Sequence, residues 1–197
     1  MRPIFIAEIK TQSPYGYKSE HPFISLLECA VKHGDWVSVH TNSLWGGDFS
    51  NIEFVRSFTN KPILAKGLHT TTDSILKAFE SGADYVLTTN AGIATTEMPH
   101  KEWFKLDTYK DKILFEADFL RVKNLVEFNN YFTTRKYVCN SRNLQTGLPK
   151  MKDELPDFLN LGVWTCQASG IKTPMDVKQN VKAFIVGQNL VSFCKEL

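Results

Sequence analysis

The chain has 197 residues, 43% hydrophobic and 22% charged, with a net charge of +2. This composition is that of an ordinary soluble domain with one sizeable core, and the small net charge excludes a strongly basic nucleic-acid-binding surface. No apolar run reaches the roughly eighteen residues of a membrane span, and no charged leader precedes the first strand, so we expect a cytoplasmic protein without a membrane partner. Cys29, Cys139, Cys166 and Cys194 are widely spaced, which favours reduced thiols over disulfides or a metal site.

Short apolar segments alternate with helical patterns along the chain and are predicted as eight strands. They begin near Pro3, Trp36, Pro62, Asp84, Lys112, Lys136, Gly162 and Lys182. A first helix is predicted between Pro22, which suits its first turn, and Gly34, which suits its end. A second begins at Thr72 and ends at Gly82. Strands that alternate with helices, without a linker, predict one α/β domain over residues 1–197.

Charged and polar side chains recur where the predicted strands end. Alternation along the first strand places Glu8 and Lys10 on one face. Because charges are costly in a buried parallel sheet, this pair is either a structural ion pair or part of a site. Later strands end in Lys66, in Glu116, and in Asn140 with Arg142. Since the carboxyl ends of parallel strands form the catalytic site of a (β/α)8 barrel, these endings predict a TIM barrel.

Two loops near the end of the sequence have the features of a phosphate site. Ser169 and Gly170 follow the predicted seventh strand, and Gly187 follows the eighth. In many barrels these loops bind phosphate through backbone N–H groups, and Ser13 of the first loop can add a hydroxyl. Each glycine could instead be a turn residue with positive φ. We favour the phosphate site and predict a small phosphorylated substrate as the partner.

The motifs also occur in a particular order along the chain. They are Ile6-Ala7-Glu8-Ile9-Lys10 with Ser13-Pro14, Ser38-Val39 with Thr41, Gly46-Gly47, Pro62-Ile63-Leu64 with Lys66, Gly82-Ala83-Asp84, Asn140-Ser141-Arg142-Asn143-Leu144, Ser169-Gly170-Ile171 and Val186-Gly187. This series resembles indole-3-glycerol phosphate synthase, a carboxy-lyase of tryptophan biosynthesis. The resemblance implies closure of the indole ring of 1-(2-carboxyphenylamino)-1-deoxyribulose 5-phosphate, with loss of carbon dioxide and water and without a cofactor.

The resemblance also implies roles for individual residues. Lys66 resembles the general acid of the family, Glu8 and Glu116 its catalytic carboxylates, and Lys10 the lysine that serves the substrate carboxylate. The division of proton transfers among these four stays open. The residues expected to bind substrate are Asn140, Arg142, Ser13, Ser169, Gly170, Gly187, Trp45, Leu68 and Leu144.

The chain departs from this family in ways that leave other functions open. It is short for a fold that typically takes about 250 residues, and we expect it to lack the N-terminal lid of the family. Ala168 stands where the family has a glutamate that contacts the substrate. The alternatives are a non-catalytic or weakly active phosphosugar-binding barrel and a related barrel enzyme such as phosphoribosylanthranilate isomerase. The lysine and glutamate pattern fits the isomerase poorly.

The last two strands leave little room for helices. Residues 172–182 allow about two helical turns, and only residues 188–197 follow the eighth strand. We therefore expect short or missing helices there. Phe184, Val191 and Phe193 would then be less covered than in a full barrel, which predicts self-association, as in a homodimer.

Overall fold

A computed structural model describes residues 2–89, 100–116, 136–143, 146–149 and 164–197. Within these residues, eight parallel strands form a closed barrel in sequential order, and the last strand pairs with the first. The strands are β1 (Ile4–Ile9), β2 (Trp36–His40), β3 (Ile63–His69), β4 (Tyr85–Thr89), β5 (Ile113–Glu116), β6 (Lys136–Asn140), β7 (Trp164–Ala168) and β8 (Ala183–Val186). The predicted TIM barrel is confirmed; the assignment of the whole chain to one domain stays a prediction.

Helices cover the outside of the barrel. They are α1 (Phe23–His33), α2 (Ser50–Arg56), α3 (Thr72–Glu80) and α4 (Leu190–Cys194), with 3₁₀ segments at Ser43–Trp45, His100–Lys112 and Pro174–Asp176. Pro22 and Gly34 flank α1 as predicted, and the Thr71 hydroxyl caps α3 by accepting the backbone N–H of Ser74. Sequence periodicity does not predict α2, because seven residues are too few for a helical pattern. No helix within the described residues is long and apolar enough to span a bilayer.

Alternation along the strands separates two apolar layers. The barrel interior contains Ile6, Leu64, Leu87, Leu114, Val138, Cys166, Ala168, Ala183 and Ile185. Residues of opposite parity, such as Phe5 and Ala7, pack against the helices. At the amino ends of the strands, Trp36 stacks on Tyr85 with ring centroids 4.1 Å apart and on Trp164 at 6.3 Å. These rings close the bottom of the barrel and leave its carboxyl end for a site.

The connections around β7 and β8 are short, as predicted, but they do not expose the expected apolar patch. Phe184 is 7% exposed and Phe193 is 0% exposed. The ring of Phe5 lies 5.1 Å from that of Phe184 and 5.2 Å from that of Phe193, because α4 folds back onto β1 and α1. The reduced cover predicted for these phenylalanines is wrong, and Val191 is half-buried against the same core. No finding tests the homodimer, which stays a prediction.

Candidate functional site

A buried polar network at the carboxyl end of the barrel is centred on Glu8. Its side chain is 6% exposed and points inward, because it shares a strand face with Ile6. Glu8 Oε1 accepts hydrogen bonds from His40 Nε2 at 2.6 Å and from Lys66 Nζ at 2.9 Å. Burial alone would raise the pKa of Glu8, but Lys66 and His40 outweigh burial and hold this pKa well below its usual value. Glu8 is therefore a carboxylate at neutral pH.

His40, the last residue of β2, fixes one side of this carboxylate. Burial lowers the pKa of His40, and the attraction of Glu8 offsets only part of that effect. The ring is therefore neutral near pH 7, with its proton on Nε2 facing the carboxylate. Nδ1 is buried and has no hydrogen-bond partner within the described part of the chain. The ring stacks on Trp45 with centroids 5.9 Å apart.

Two lysines at the mouth lie in opposite electrostatic environments. Burial would lower the pKa of Lys66, but Glu8 and then Glu116 outweigh it and raise this pKa, so Lys66 is an ammonium ion. Burial also lowers the pKa of Lys10, and here the net shift is downward, because Lys66 and Arg142 add to burial and the glutamates offset only part of it. When the pKa values of two neighbouring groups are shifted in opposite directions, one site can contain both an acid and a base.

Glu116 and Asn140 form the opposite wall of the mouth. The Asn140 side-chain amide donates to Glu116 Oε1, and its Oδ1 accepts the backbone N–H of Arg142 at 3.0 Å. Both side chains are buried, with Glu116 5% and Asn140 4% exposed. The amide is thus held at both ends, and it fixes the orientation of the carboxylate at the end of β5.

The described residues form two cavities at the mouth. The inner cavity, about 40 Å³, lies among Trp45, Leu68 and the polar groups of His40, Glu116 and Asn140. The loop cavity, about 150 Å³, lies between the loops that follow β7 and β8. The side chains that line both cavities are Lys10, Lys66, Arg142 and Ser169. A molecule held in the loop cavity would therefore meet the same cations as one held in the inner cavity.

The structure brings most of the predicted site residues to these cavities. They are Glu8, Lys10, Lys66, Glu116, Asn140, Arg142, Trp45, Leu68, Ser169, Gly170 and Gly187. Ser13 lines neither cavity; its hydroxyl accepts the backbone N–H of Tyr15 at 3.3 Å within the β1 loop. Leu144 lies outside the described residues. The catalytic and binding roles assigned to these residues stay predictions. Lys66, on β3, donates a hydrogen bond to Glu8 on β1, and β2 lies between these two strands.

Further residues that were not predicted as site residues also line the cavities, among them His40, Tyr15 and Lys172. His40 could have been found, since it ends β2 on the inward face and is paired in register with Lys66 of β3. Tyr15 and Lys172 belong to loops, where no periodic signal exists. A Cβ at Gly147 would clash with Cγ of Tyr15, so glycine lets the β6 loop pack against this ring. The described residues contain no cluster of histidine, cysteine or carboxylate side chains able to hold a metal.

Comparison with known proteins supports the fold. No family model matches the chain, and no curated protein matches its sequence. Among solved structures, the chain is similar to KGPDC (3-keto-L-gulonate-6-phosphate decarboxylase) from Streptococcus mutans in complex with a phosphorylated sugar. The TM-score is 0.64 and the identity 14%, over 98% of this chain and 97% of that chain. At this identity the similarity shows the fold alone.

The predicted resemblance to indole-3-glycerol phosphate synthase is wrong. The structural neighbour is a different phosphosugar-binding barrel, and no sequence comparison supports the synthase. The motifs that suggested it are strand endings and glycine-containing loops. Barrel geometry places such residues around the substrate in many unrelated enzymes, so they do not identify one of them. A role in tryptophan biosynthesis is likewise unsupported.

Proposed function

We propose that this protein binds a small phosphorylated substrate of the sugar-phosphate type in the loop cavity and acts on it as a lyase. One observation carries the proposal: Lys10, Lys66, Arg142 and Lys172 all line this cavity. Glu8, a carboxylate that also lines it, is already paired with Lys66. The excess of positive charge in a partly enclosed cavity favours a doubly charged anion such as a phosphate ester.

The loops around the cavity are held in place before any ligand arrives. The Ser141 hydroxyl donates to the carbonyl of Ser169 at 3.2 Å. The Asn189 amide donates to the carbonyl of Ile171 at 3.0 Å, which ties the loop after β8 to the loop after β7. Ser169 and Gly170 both have left-handed backbones, with φ of 66° and 74°. Because these loops are already ordered, binding costs less conformational entropy.

The structural neighbour supports both halves of the proposal. KGPDC is a phosphosugar-binding barrel and a carboxy-lyase, and its structure holds a phosphorylated sugar. Breaking a carbon–carbon bond beside a carbonyl, as in loss of carbon dioxide, places negative charge on the carbonyl oxygen. We assign stabilisation of that charge to the Lys66 ammonium. We assign proton exchange with the substrate carbon to Glu116, which Asn140 orients.

A second candidate is a phosphosugar-binding barrel without catalysis. It rests on Ala168, which ends β7, is 1% exposed and lies in the barrel interior. The strands β1, β3, β5 and β6 contribute ionisable or amide side chains to the mouth, whereas β7 ends in the methyl group of Ala168. The two candidates make the same prediction for binding and differ only in turnover.

Isothermal titration calorimetry with D-ribulose 5-phosphate and with D-ribulose tests the binding site. We expect the phosphorylated sugar to bind and the free sugar to bind at least tenfold more weakly. Lys172→Met should weaken phosphosugar binding about fivefold, the size of one exposed charge interaction. The matched control is Lys182→Met, because Lys182 is exposed and immediately precedes β8 at the opposite end of the barrel. Equal affinity for the two sugars would contradict the proposal.

Proton exchange tests catalysis without knowledge of the natural substrate. In D₂O, an enzyme that stabilises charge on the carbonyl oxygen should exchange the hydrogen on the neighbouring carbon of bound D-ribulose 5-phosphate, measured by NMR. Lys66→Met should slow this exchange by about 10²-fold or more, with binding changed only a few-fold. Binding without exchange in the native protein would favour the non-catalytic candidate.

A further inference from the structure

Among the described residues, Lys66 has an ion-pair partner and Lys10 has none. Within the described residues, no hydrogen bond or ion pair reaches its amino group, and the contact it makes is with the ring of Tyr17, whose centroid lies 5.9 Å from Nζ. Lys66, in contrast, is bonded to the Glu8 carboxylate at 2.9 Å. One lysine of the mouth is therefore held as a cation by a partner, and the other is not.

Lys10 also lies where the two cavities meet. It lines the loop cavity together with Ser169, Gly170 and Gly187, and it lines the inner cavity together with Glu116. A sugar phosphate whose phosphate occupies the loop cavity would extend its carbon chain past Lys10 toward the inner cavity. The carbonyl carbon of such a molecule would then be held beside an amine.

We propose that Lys10 is a nucleophile that captures the carbonyl group of a phosphorylated ketose or aldose as an imine. The inference rests on the proposed function, because binding of the phosphate is what brings the carbonyl to the amine. It assigns to the site a covalent step, and it narrows the substrate class to sugar phosphates with a free carbonyl group.

The step balances with the groups present at the mouth. The Nζ lone pair of Lys10 forms a bond to the carbonyl carbon, and the carbonyl oxygen takes a proton from the Lys66 ammonium, giving a carbinolamine. The nitrogen then returns one proton to Lys66 and gives its second proton to the hydroxyl, so that the C–O bond breaks, water leaves and the C=N bond forms. Overall, amine and carbonyl give imine and one water, and the two hydrogens of that water come from the amine. No oxidant or reductant is consumed.

The electrostatic surroundings favour the free amine. Burial lowers the pKa of Lys10 and the cations of Lys66 and Arg142 lower it further, while Glu8 and Glu116 oppose the shift. A larger share of Lys10 is consequently unprotonated near neutral pH than of an exposed lysine. Lysines activated for imine formation commonly lie beside another cation in this way.

Reductive trapping tests the inference directly. The protein is incubated with D-ribulose 5-phosphate and sodium borohydride, which reduces an imine to a stable secondary amine, and the adduct is located by peptide mass spectrometry. We expect one major adduct, heavier by the sugar phosphate less one oxygen atom, on Lys10. Inorganic phosphate should suppress it, D-ribulose should not form it, Lys10→Met should abolish it, and Lys182→Met should retain it.

Because peptide mapping is done on the native protein, the result does not depend on whether Lys10→Met folds. Binding of the sugar phosphate by calorimetry without an adduct would overturn the imine and leave the proposed function standing. A major adduct on Lys66, or spread over exposed lysines, would overturn it as well. Absence of binding would reject the proposed function and the imine together.

Discussion

Replacing Glu8 with glutamine should remove the central charge of the site while keeping its shape. Glutamine retains an oxygen that accepts hydrogen bonds from His40 and Lys66, so the change isolates the electrostatic contribution. The Glu8 side chain is 6% exposed and that of Lys66 is 14% exposed. The buried Lys66 ammonium would then lose its hydrogen-bonded carboxylate and keep only the weaker attraction of Glu116.

The distances set the size of the effect. Two unit charges 2.9 Å apart attract by about 6 kcal/mol at an effective dielectric constant of about 20. Desolvation of both groups offsets part of this attraction. Breaking a buried pair by removing one partner typically costs about 3–5 kcal/mol, because the remaining charge is left uncompensated. We therefore expect Glu8→Gln to lower the free energy of unfolding by about 3 kcal/mol or more.

Urea unfolding of the single and double variants measures this cost. Glu8→Gln combined with Lys66→Met should recover at least half of the lost stability, since no buried charge then lacks a partner. Glu53→Gln, at an exposed position of α2, is the control and should change the stability by less than about 0.5 kcal/mol. A loss below about 1 kcal/mol for Glu8→Gln, or a double variant no more stable than the single one, would refute the reasoning.

Acidification gives an independent check on the same carboxylate. The pKa of Glu8 is lower in the folded state than its ordinary value of 4.5. Its contribution to stability is therefore fully present above about pH 4.5 and is lost as the pH falls through the folded-state pKa. Unfolding curves of native protein should show this additional acid sensitivity, and curves of Glu8→Gln should lack it. Parallel pH profiles for the two proteins would count against a depressed pKa.

Three other changes test separate parts of the structure. Gly187→Ala would place a Cβ in collision with Glu8 Oε2, so it should slow proton exchange in bound sugar phosphate. The control is Gly82→Ala, whose Cβ would have neighbours no closer than 3.7 Å and which should only lower stability. Equal exchange rates in the two variants would contradict this prediction. Burial lowers the pKa of His69 from 6.5 to about 4, so stability should fall by about 3 kcal/mol as the pH drops through that interval, and His69→Gln should flatten the profile of urea midpoints. Arg56 donates to three backbone carbonyls and pairs with a carboxylate. Arg56→Lys should lower the free energy of unfolding by about 1–3 kcal/mol in thermal or urea unfolding, because an ammonium lacks the planar arrangement of donors of a guanidinium. An unchanged unfolding midpoint would show that these bonds contribute little.

Local sequence patterns determine the strands, α1 and α3, and most of the charged groups at the barrel mouth. Each strand is a short apolar run whose alternation is visible without the fold, and α1 is bounded by Pro22 and Gly34, whose backbone preferences are local. The polar endings of four strands follow from the same alternation. Once the strands are parallel and form a barrel, Glu8 and Lys66 must point inward near each other. These features depend on neighbours along the chain and could be predicted from them.

The identity of the protein could not be read in the same way. The endings of barrel strands meet around a substrate in many enzymes, so Lys66, Glu116 and Asn140 describe a kind of site and do not single out one reaction. The motifs that suggested a tryptophan-pathway enzyme are short and belong to this shared geometry. Similarity over nearly the whole chain to a decarboxylase barrel shows the fold, and the reaction has to be tested on the protein.

Contacts between distant segments were decided by the tertiary structure. His40 meets Glu8 from 32 residues away because β2 lies beside β1, and Gly187 meets the same carboxylate because barrel closure pairs β8 with β1. The burial of Phe193 depends on α4 folding back onto β1, which no periodicity in its five residues could indicate. The pKa shifts follow from these contacts, since the pKa of a carboxylate or an amine depends on its burial and on the charges that the fold places near it. Sequence alternation selects which side chains face the barrel interior, and the order and closure of the strands select their partners.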